Sequence, residues 1–302
     1  MIDIPELSAR LAAAGDDAAL ATLGFRDDDR ADTRRAIDAA LADPDRLAEL
    51  QSMVERLQAN IGAIGSDGPN PLDVPAARSD WRGVGVLPLL ALLAVADDVR
   101  AFHRSRGIPP EISDRSLADL GQQAWVNRRT LGAFGLHTYL WMPVCFGGNL
   151  YWLGRLQFNL VRRGDAWAIS THIPEVGPLT PESVDDAFRQ AVAFFGRHFA
   201  DHPTTVLHCS SWLLDPQLAE VLAPESNMVR FQQRWTLEGE GHDADEDAVF
   251  FTFRRRNVTD RSTLPRDTTL QRAIIDKLDG GGHWHSWNGT VDEAPYRSGA
   301  GA

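Results

Sequence analysis

The sequence predicts an α+β protein: an all-helical front, then a mixed, mostly antiparallel sheet flanked by helices. Two observations carry this prediction. Over residues 1–130 the apolar residues recur at helical spacing. From His137 onward aromatic and β-branched residues gather, and alternation of period two appears over Leu150–Arg163. The chain has 302 residues, 43% of them hydrophobic, which suffices for two ordinary cores. The expected division is a helical N-terminal domain over 1–130, an α+β domain over 131–290 and a flexible tail over 291–302.

The front elements follow from local chemistry. Pro5 to Leu23 carries Leu7, Leu11 and Leu23 among alanines. "DPDRLAELQSMVERLQANI" is the clearest helix. Asp43 suits the N-cap, Pro44 the first helical position, and Leu47, Leu50, Val54, Leu57 and Ile61 form one stripe. Residues 62–80 are a Gly/Pro-rich connector. Val86 to Arg106 is apolar on most faces and is expected to be buried. Ser113 to Thr130 makes another helix.

The back elements change period. "HTYLWMPVCF" (137–146), "LYWLGRLQFNLVRR" (150–163) and "AWAISTHIP" (166–174) read as an antiparallel meander. In the second segment Arg155, Gln157 and Asn159 form the polar face. A helix follows, with Val184, Phe188, Ala191, Phe195 and Phe199 on one side. "TTVLHCSSW" (204–212) is a buried strand, and short helices start at Asp215 and at Ser226. "RWTLEGE" and "AVFFTFRR" read as a hairpin, "RDTTLQRAIIDKL" as a last helix, and "GGGHWHSWNG" (280–289) as a flexible lid.

The formal net charge of −12 excludes the basic face that a nucleic-acid binder needs. The run Arg254-Arg255-Arg256 reads as a solvated strand end, and Lys277 is the only lysine. The Ala-, Asp- and Arg-rich composition points to a bacterial source. Two cysteines, Cys145 and Cys209, form no Cys-x-x-Cys pattern, which fits a reducing cytoplasm. The N-terminus lacks the basic and apolar regions of a signal peptide. The most apolar window, Gly85–Val99, is too short to span a bilayer.

Several ordered motifs carry a family resemblance. "LGRLQF", "HIPEVGPLTPESV", "HCSSWLLDPQL", "ESNMVRFQQRW" and "LPRDTTLQRAI" resemble a family that joins a helical N-acyltransferase N-terminal domain to a GNAT-like C-terminal domain. The resemblance covers nearly the whole chain. It implies a GNAT-like fold and an N-acyltransferase that moves an acyl group from acetyl-CoA or another acyl-CoA to an amine of a small molecule or peptide. An acyl carrier protein is the alternative donor, and no metal is implied. The alternative is a catalytically silent GNAT-like protein that binds acyl-CoA or another ligand as a sensor or partner.

The pattern departs from the superfamily in two places. The usual spaced glycines are reduced to Gly177 in "PEVGPLT". Asn227 matches an Asn that opens a late helix, but the position seven residues on is Arg234 where a proton-donating Tyr is usual.

The resemblance implies these site residues. His172 is the expected proton acceptor, since an imidazole can take a proton from an attacking amine near neutrality. A structural histidine bonded to a loop carbonyl is the alternative. Gly177, Leu179, Thr180 and Ser183 would hold the pyrophosphate at a helix N-terminus, and Asn227 would touch the pantetheine arm. Thr180 followed by Pro181 is also an ordinary helix start, and Glu182, Asp185 and Asp186 oppose a polyanion there. Arg155 or Arg189 could supply the compensating charge. A Ser/Cys hydrolase built on His208, Cys209, Ser210 and Ser211 is the third reading. Neighbours on a strand point to opposite faces, which argues against it.

Overall fold

The computed structural model describes residues 2–66 and 68–297. The chain forms two compact units, Met1–Trp152 and Leu153–Ala302.

The first unit is helical: α1 (Ile4–Ala14), α2 (Asp17–Thr22), α3 (Asp27–Leu41), α4 (Pro44–Asn60), α5 (Val86–Ser105), α6 (Pro110–Leu117), α7 (Asp119–Leu131) and α8 (Met142–Phe146). Helix α4 starts as its sequence dictates. The Asp43 carboxylate accepts the N–H groups of Asp45 and Arg46 at 3.0 and 3.2 Å, with Pro44 behind it. Its stripe Leu47, Leu50, Met53, Val54 and Leu57 is buried. Every residue of α5 from Val86 to Ala96 is buried. Each such leucine contributes roughly 2 kcal/mol relative to exposure. Helix α7 passes so close to the α2 end that a Cβ on Gly121 would lie 2.1 Å from the Gly24 carbonyl carbon. The approach is sealed by Gly121 N–H donating to Leu23 O at 2.9 Å.

The second unit carries most of the sheet. Its strands are β1 (Leu150–Leu153, which starts at the end of the first unit), β2 (Leu156–Arg163), β3 (Ala166–His172), β4 (Thr204–Ser211), β5 (Thr236–Asp243) and β6 (His285–Asp292), in the order β1-β2-β3-β4-β6-β5. Pairs β2/β3, β4/β6 and β5/β6 are antiparallel, and β3/β4 is parallel. The parallel pair needs a crossover, supplied by α9 (Pro181–His198). The remaining helices are α10 (Leu218–Val221), α11 (Asn227–Gln232), α12 (Asp245–Phe253), α13 (Thr269–Asp279) and α14 (Ala294–Arg297).

Register divides the sheet into two chemically different faces. Phe158 and its alternate neighbours Leu156 and Leu160 are buried, and Phe158 meets Phe188 of α9 edge-on at 6.2 Å. The opposite face carries Gln157, Asn159, Ser170, His172, His208, Asn288, Thr290 and Glu238, through the pairs Gln157/His172, Asn159/Ser170, Ser170/His208, His208/Thr290 and Glu238/Asn288.

Several sequence expectations are corrected. Residues 137–141 are turns and Met142–Phe146 is α8, not a strand; Met142, Cys145 and Phe146 join the first unit's core. A short apolar run has no period that separates strand from buried helix. The first unit therefore runs past the expected boundary at 130. Leu150–Arg163 is two strands, broken at Gly154 (φ +59°), where an added Cβ would meet Ala187 Cα of α9 at 3.2 Å. The expected hairpin is β5 followed by α12, whose first turn carries Asp245, Glu246 and Asp247 as a helix N-terminus favours. The partner of β5 is β6, so the second half of the expected lid is a strand seated between β4 and β5. Residues 291–297 complete β6 and form α14, while 298–302 of the expected tail lie outside the described residues.

Candidate active site

Five of the six expected site residues lie on the β3–α9 connection. His172 is the last residue of β3. Its Nε2 lies 2.6 Å from Asn159 Oδ1 on β2. Burial, with His208 nearby on β4, pushes its pKa down to about 4. The ring is therefore neutral at pH 7 and able to accept a proton.

Gly177 sits at φ +52°, exposed, with open space where a Cβ would stand. Only glycine takes that left-handed conformation without strain and lets a ligand reach the backbone. Thr180 caps α9: its Oγ1 accepts Ser183 N–H at 3.2 Å, and Ser183 Oγ donates to Thr180 O at 2.9 Å. Both Ser183 groups are thus engaged in the cap, which corrects the expectation that its N–H is open to a phosphate. The Leu179 side chain is buried, so only its backbone can serve a ligand. Among the described residues, the N–H groups of Gly177, Leu179 and Glu182 have no protein acceptor. These three amides are the fitting donors for an anion at the head of an 18-residue helix.

The charge around this cradle differs from the sequence-based picture. Asp185 is paired with Arg234 at 2.6 and 3.3 Å, and Arg234 also donates to Pro181 O at 3.1 Å. Asp186 is engaged by Gln190 at 2.7 Å. Of the three opposing carboxylates, Asp185 is therefore neutralised by a bonded arginine. Arg155 is a brace: its guanidinium donates to Pro174 O at 2.9 Å and Gly177 O at 3.0 Å. Arg254, itself at φ +56°, binds Glu175 of the same loop. Arg189 lies 3.8 Å from Asp186.

Asn227 is the first residue of α11, after the cap Ser226. Its position as helix opener matches the expectation. Arg234, just beyond the end of α11, links it to the first turns of α9. Arg234, the residue where a Tyr is usual, is a clamp on α9. Asn159, Arg234 and Arg254 carry no local motif. Asn159 had only its place on the polar face of β2 to mark it.

The hydrolase reading is overturned. Cys209 is buried among apolar neighbours and its thiol is pushed up to about 12. Ser211 Oγ accepts Leu213 N–H as a cap. His208 lies on the polar face and Cys209 on the other. His283 binds Asp245 at 2.7 Å, whereas Asp215 binds the His285 N–H at 2.7 Å. Among the described residues no group of three or more His, Cys, Asp or Glu side chains could hold a metal ion. No helix among them is long and apolar enough to cross a membrane.

Residues 16–148 match the model of an N-acyltransferase N-terminal domain, and residues 150–291 match that of a GNAT-like C-terminal domain. No curated protein matches. Among solved structures, an acyltransferase mutant in complex with octanoyl-CoA is 34% identical over 90% of this chain and 86% of its own, with a TM-score of 0.77. An acyltransferase in complex with decanoyl-CoA and teicoplanin is also 34% identical over the same shares, with a TM-score of 0.76. Another, with CoA and 10C-teicoplanin, matches equally. With that identity over nearly its whole length, the chain belongs to the two-domain N-acyltransferase family, in which a helical N-acyltransferase domain precedes a GNAT-like domain.

Proposed function

We propose that this protein transfers an acyl group from acyl-CoA to an amine by direct attack, using the β3–α9 connection as its centre. The observation that carries the function is that relatives matching 90% of the chain hold acyl-CoA. The cradle of Gly177, Leu179 and Glu182 amides beside His172 supports the placement. Nothing here favours the catalytically silent alternative.

In the reaction the amine nitrogen attacks the thioester carbon, the C–N bond forms and the C–S bond breaks. The proton shed by nitrogen passes to His172, and CoA leaves as thiolate. A thiol of pKa near ~8.5 leaves without obligatory protonation, so a tyrosine at position 234 is dispensable. The amides of Gly177, Leu179 and Glu182 hold the pyrophosphate, Thr180 and Ser183 fix the helix start through their mutual bonds, and Asn227 contacts the pantetheine arm. Binding and orientation supply most of the rate.

The proposed acceptor is an amine of a small molecule or peptide, a class that includes glycopeptides such as the teicoplanin held by a solved relative. Octanoyl- and decanoyl-CoA in relatives make medium-chain donors the first to assay. An acyl carrier protein is the competing donor. A bacterial cytoplasm is the proposed compartment, in keeping with two buried free cysteines. The proposed domains are a helical N-terminal domain and a GNAT-like C-terminal domain with the site residues on the latter.

The test pairs calorimetry with turnover. Wild type is expected to bind CoA and acylate an amine, and His172→Gln to bind CoA equally but lose turnover by about 10²-fold or more. Full activity in His172→Gln removes it as base. Failure of wild type to bind CoA shifts the donor to a carrier-protein thioester.

A further inference from the structure

The bond between Asn159 and His172 contains information about which ring nitrogen does the chemistry. Asn159 is buried in the middle of β2, opposite Ser170 and diagonal to His172 on the same face. Its Nδ2 donates to Leu160 O at 3.1 Å. A backbone carbonyl can only accept, so the amide atom facing it must be the NH2 group. The atom facing His172, at 2.6 Å, is then the amide oxygen, which also can only accept. His172 Nε2 must therefore carry a proton. In a neutral ring that leaves Nδ1 as the basic nitrogen.

We infer that Asn159 is a positioning residue: anchored by the Leu160 carbonyl, it selects the Nε2–H tautomer of His172 and so makes Nδ1 the nitrogen that receives the proton from the amine. The inference rests on the reading of His172 as proton acceptor. It adds a residue and an atom to that reading. The logic is the one by which an acceptor behind a catalytic histidine sets its tautomer in hydrolytic triads. The Asn159 end of the pair is buried, and so is Gln157 directly opposite His172. By register the charged and titratable groups on the same face include His208, Arg163, Glu238, His242 and Asp292, with Arg163 and Glu238 paired to each other.

The test is 15N NMR of histidine-labelled full-length protein, which reads the tautomer without any turnover, together with steady-state kinetics. The variants are Asn159→Leu, nearly isosteric but without an acceptor, and Asn159→Asp, which keeps the acceptor. In wild type at pH 7 the His172 ring is expected as the Nε2–H form. In Asn159→Leu it is expected to spread over both tautomers, with kcat down about 10- to 100-fold and KM for acyl-CoA little changed. In Asn159→Asp, which keeps the acceptor but loses the donor to Leu160 O, the Nε2–H form is expected to survive and kcat to fall less than in Asn159→Leu, with the acid limb of the pH profile moved upward by the added carboxylate. An unchanged tautomer in Asn159→Leu overturns the inference. So does a lost tautomer with unchanged kcat. His172→Gln, measured alongside, separates the two failures. Full activity there removes His172 as base, whereas a dead His172→Gln beside an unaffected Asn159→Leu removes only Asn159.

Discussion

Arg234, just beyond the end of α11, grips both carboxylate oxygens of Asp185 in the first turns of α9, at 2.6 and 3.3 Å. This pair decides the electrostatics of the cradle. Without it an uncompensated carboxylate would face an incoming pyrophosphate close to the helix N-terminus. Arg234→Ala is expected to weaken CoA binding about ten-fold, and Arg234→Ala/Asp185→Asn to recover most of it. Calorimetry with CoA checks both. Equal loss in the single and double variants would instead assign Arg234 a direct ligand contact.

Gly177 offers a second test of the cradle. Alanine there meets no atom within 4 Å but must hold φ near +52°, a strain of about 1 kcal/mol. Gly177→Ala is expected to lower the melting temperature slightly and to keep measurable CoA affinity. Gly177→Asp adds a negative charge at the same spot and is expected to abolish binding. Undiminished CoA affinity in Gly177→Asp would place the pyrophosphate elsewhere.

The first unit depends on Gly121 for a different reason. A methyl there would lie 2.1 Å from Gly24 C and 2.3 Å from Phe25 N, both backbone atoms that cannot rotate away. Gly121→Ala is expected to destabilise the helical unit by about 3 kcal/mol, measured by urea unfolding. A loss below about 0.5 kcal/mol would mean that α7 can slide without cost.

His103, fully buried in α5 with Nδ1 2.8 Å from Ser113 Oγ, has its pKa lowered to about 4, first by burial and then by Arg100. Between pH ~4 and ~6.5 the unfolded chain binds a proton at this position and the folded chain does not. Stability is therefore full at pH 7 and falls as pH drops through that window. The loss from this residue between pH 7 and 5 is about 2 kcal/mol. Urea unfolding at the two values should show a difference that His103→Leu reduces by that amount. His172 acts in the same direction.

Cys145 and Cys209 are buried, with both thiols pushed upward by burial. Neither should react with iodoacetamide in the folded protein, and treatment should leave turnover intact. Rapid labelling of Cys209 with loss of activity would reopen a thiol mechanism.

Much of this was legible beforehand where the determining atoms lie within a few residues of each other. The caps at Asp43 and Thr180 formed as read. The apolar stripe of α9 is the one the spacing predicts, with Val184, Phe188, Ala191 and Phe195 buried. His172 does end the strand that leads into Gly177 and α9. The misreadings share a cause. "AVFFTFRR" has strand-like composition, yet β5 found its partner in His285–Asp292, more than forty residues downstream, and the intervening segment became α12 and α13.

By itself the sequence determined the class, the family and the local grammar: the caps that open α4 and α9, the apolar face of each, and that a glycine stands ahead of α9. Tertiary structure alone decided that residues 142–146 are a helix buried with the first unit, that β6 lies between β4 and β5, that Arg234 neutralises Asp185, and that Asn159 faces His172. Helix caps and amphipathic stripes are set by neighbours along the chain. Strand partners, buried ion pairs and tautomers are set by groups that only register and packing bring within 3 Å or so, and chain spacing holds no record of that distance.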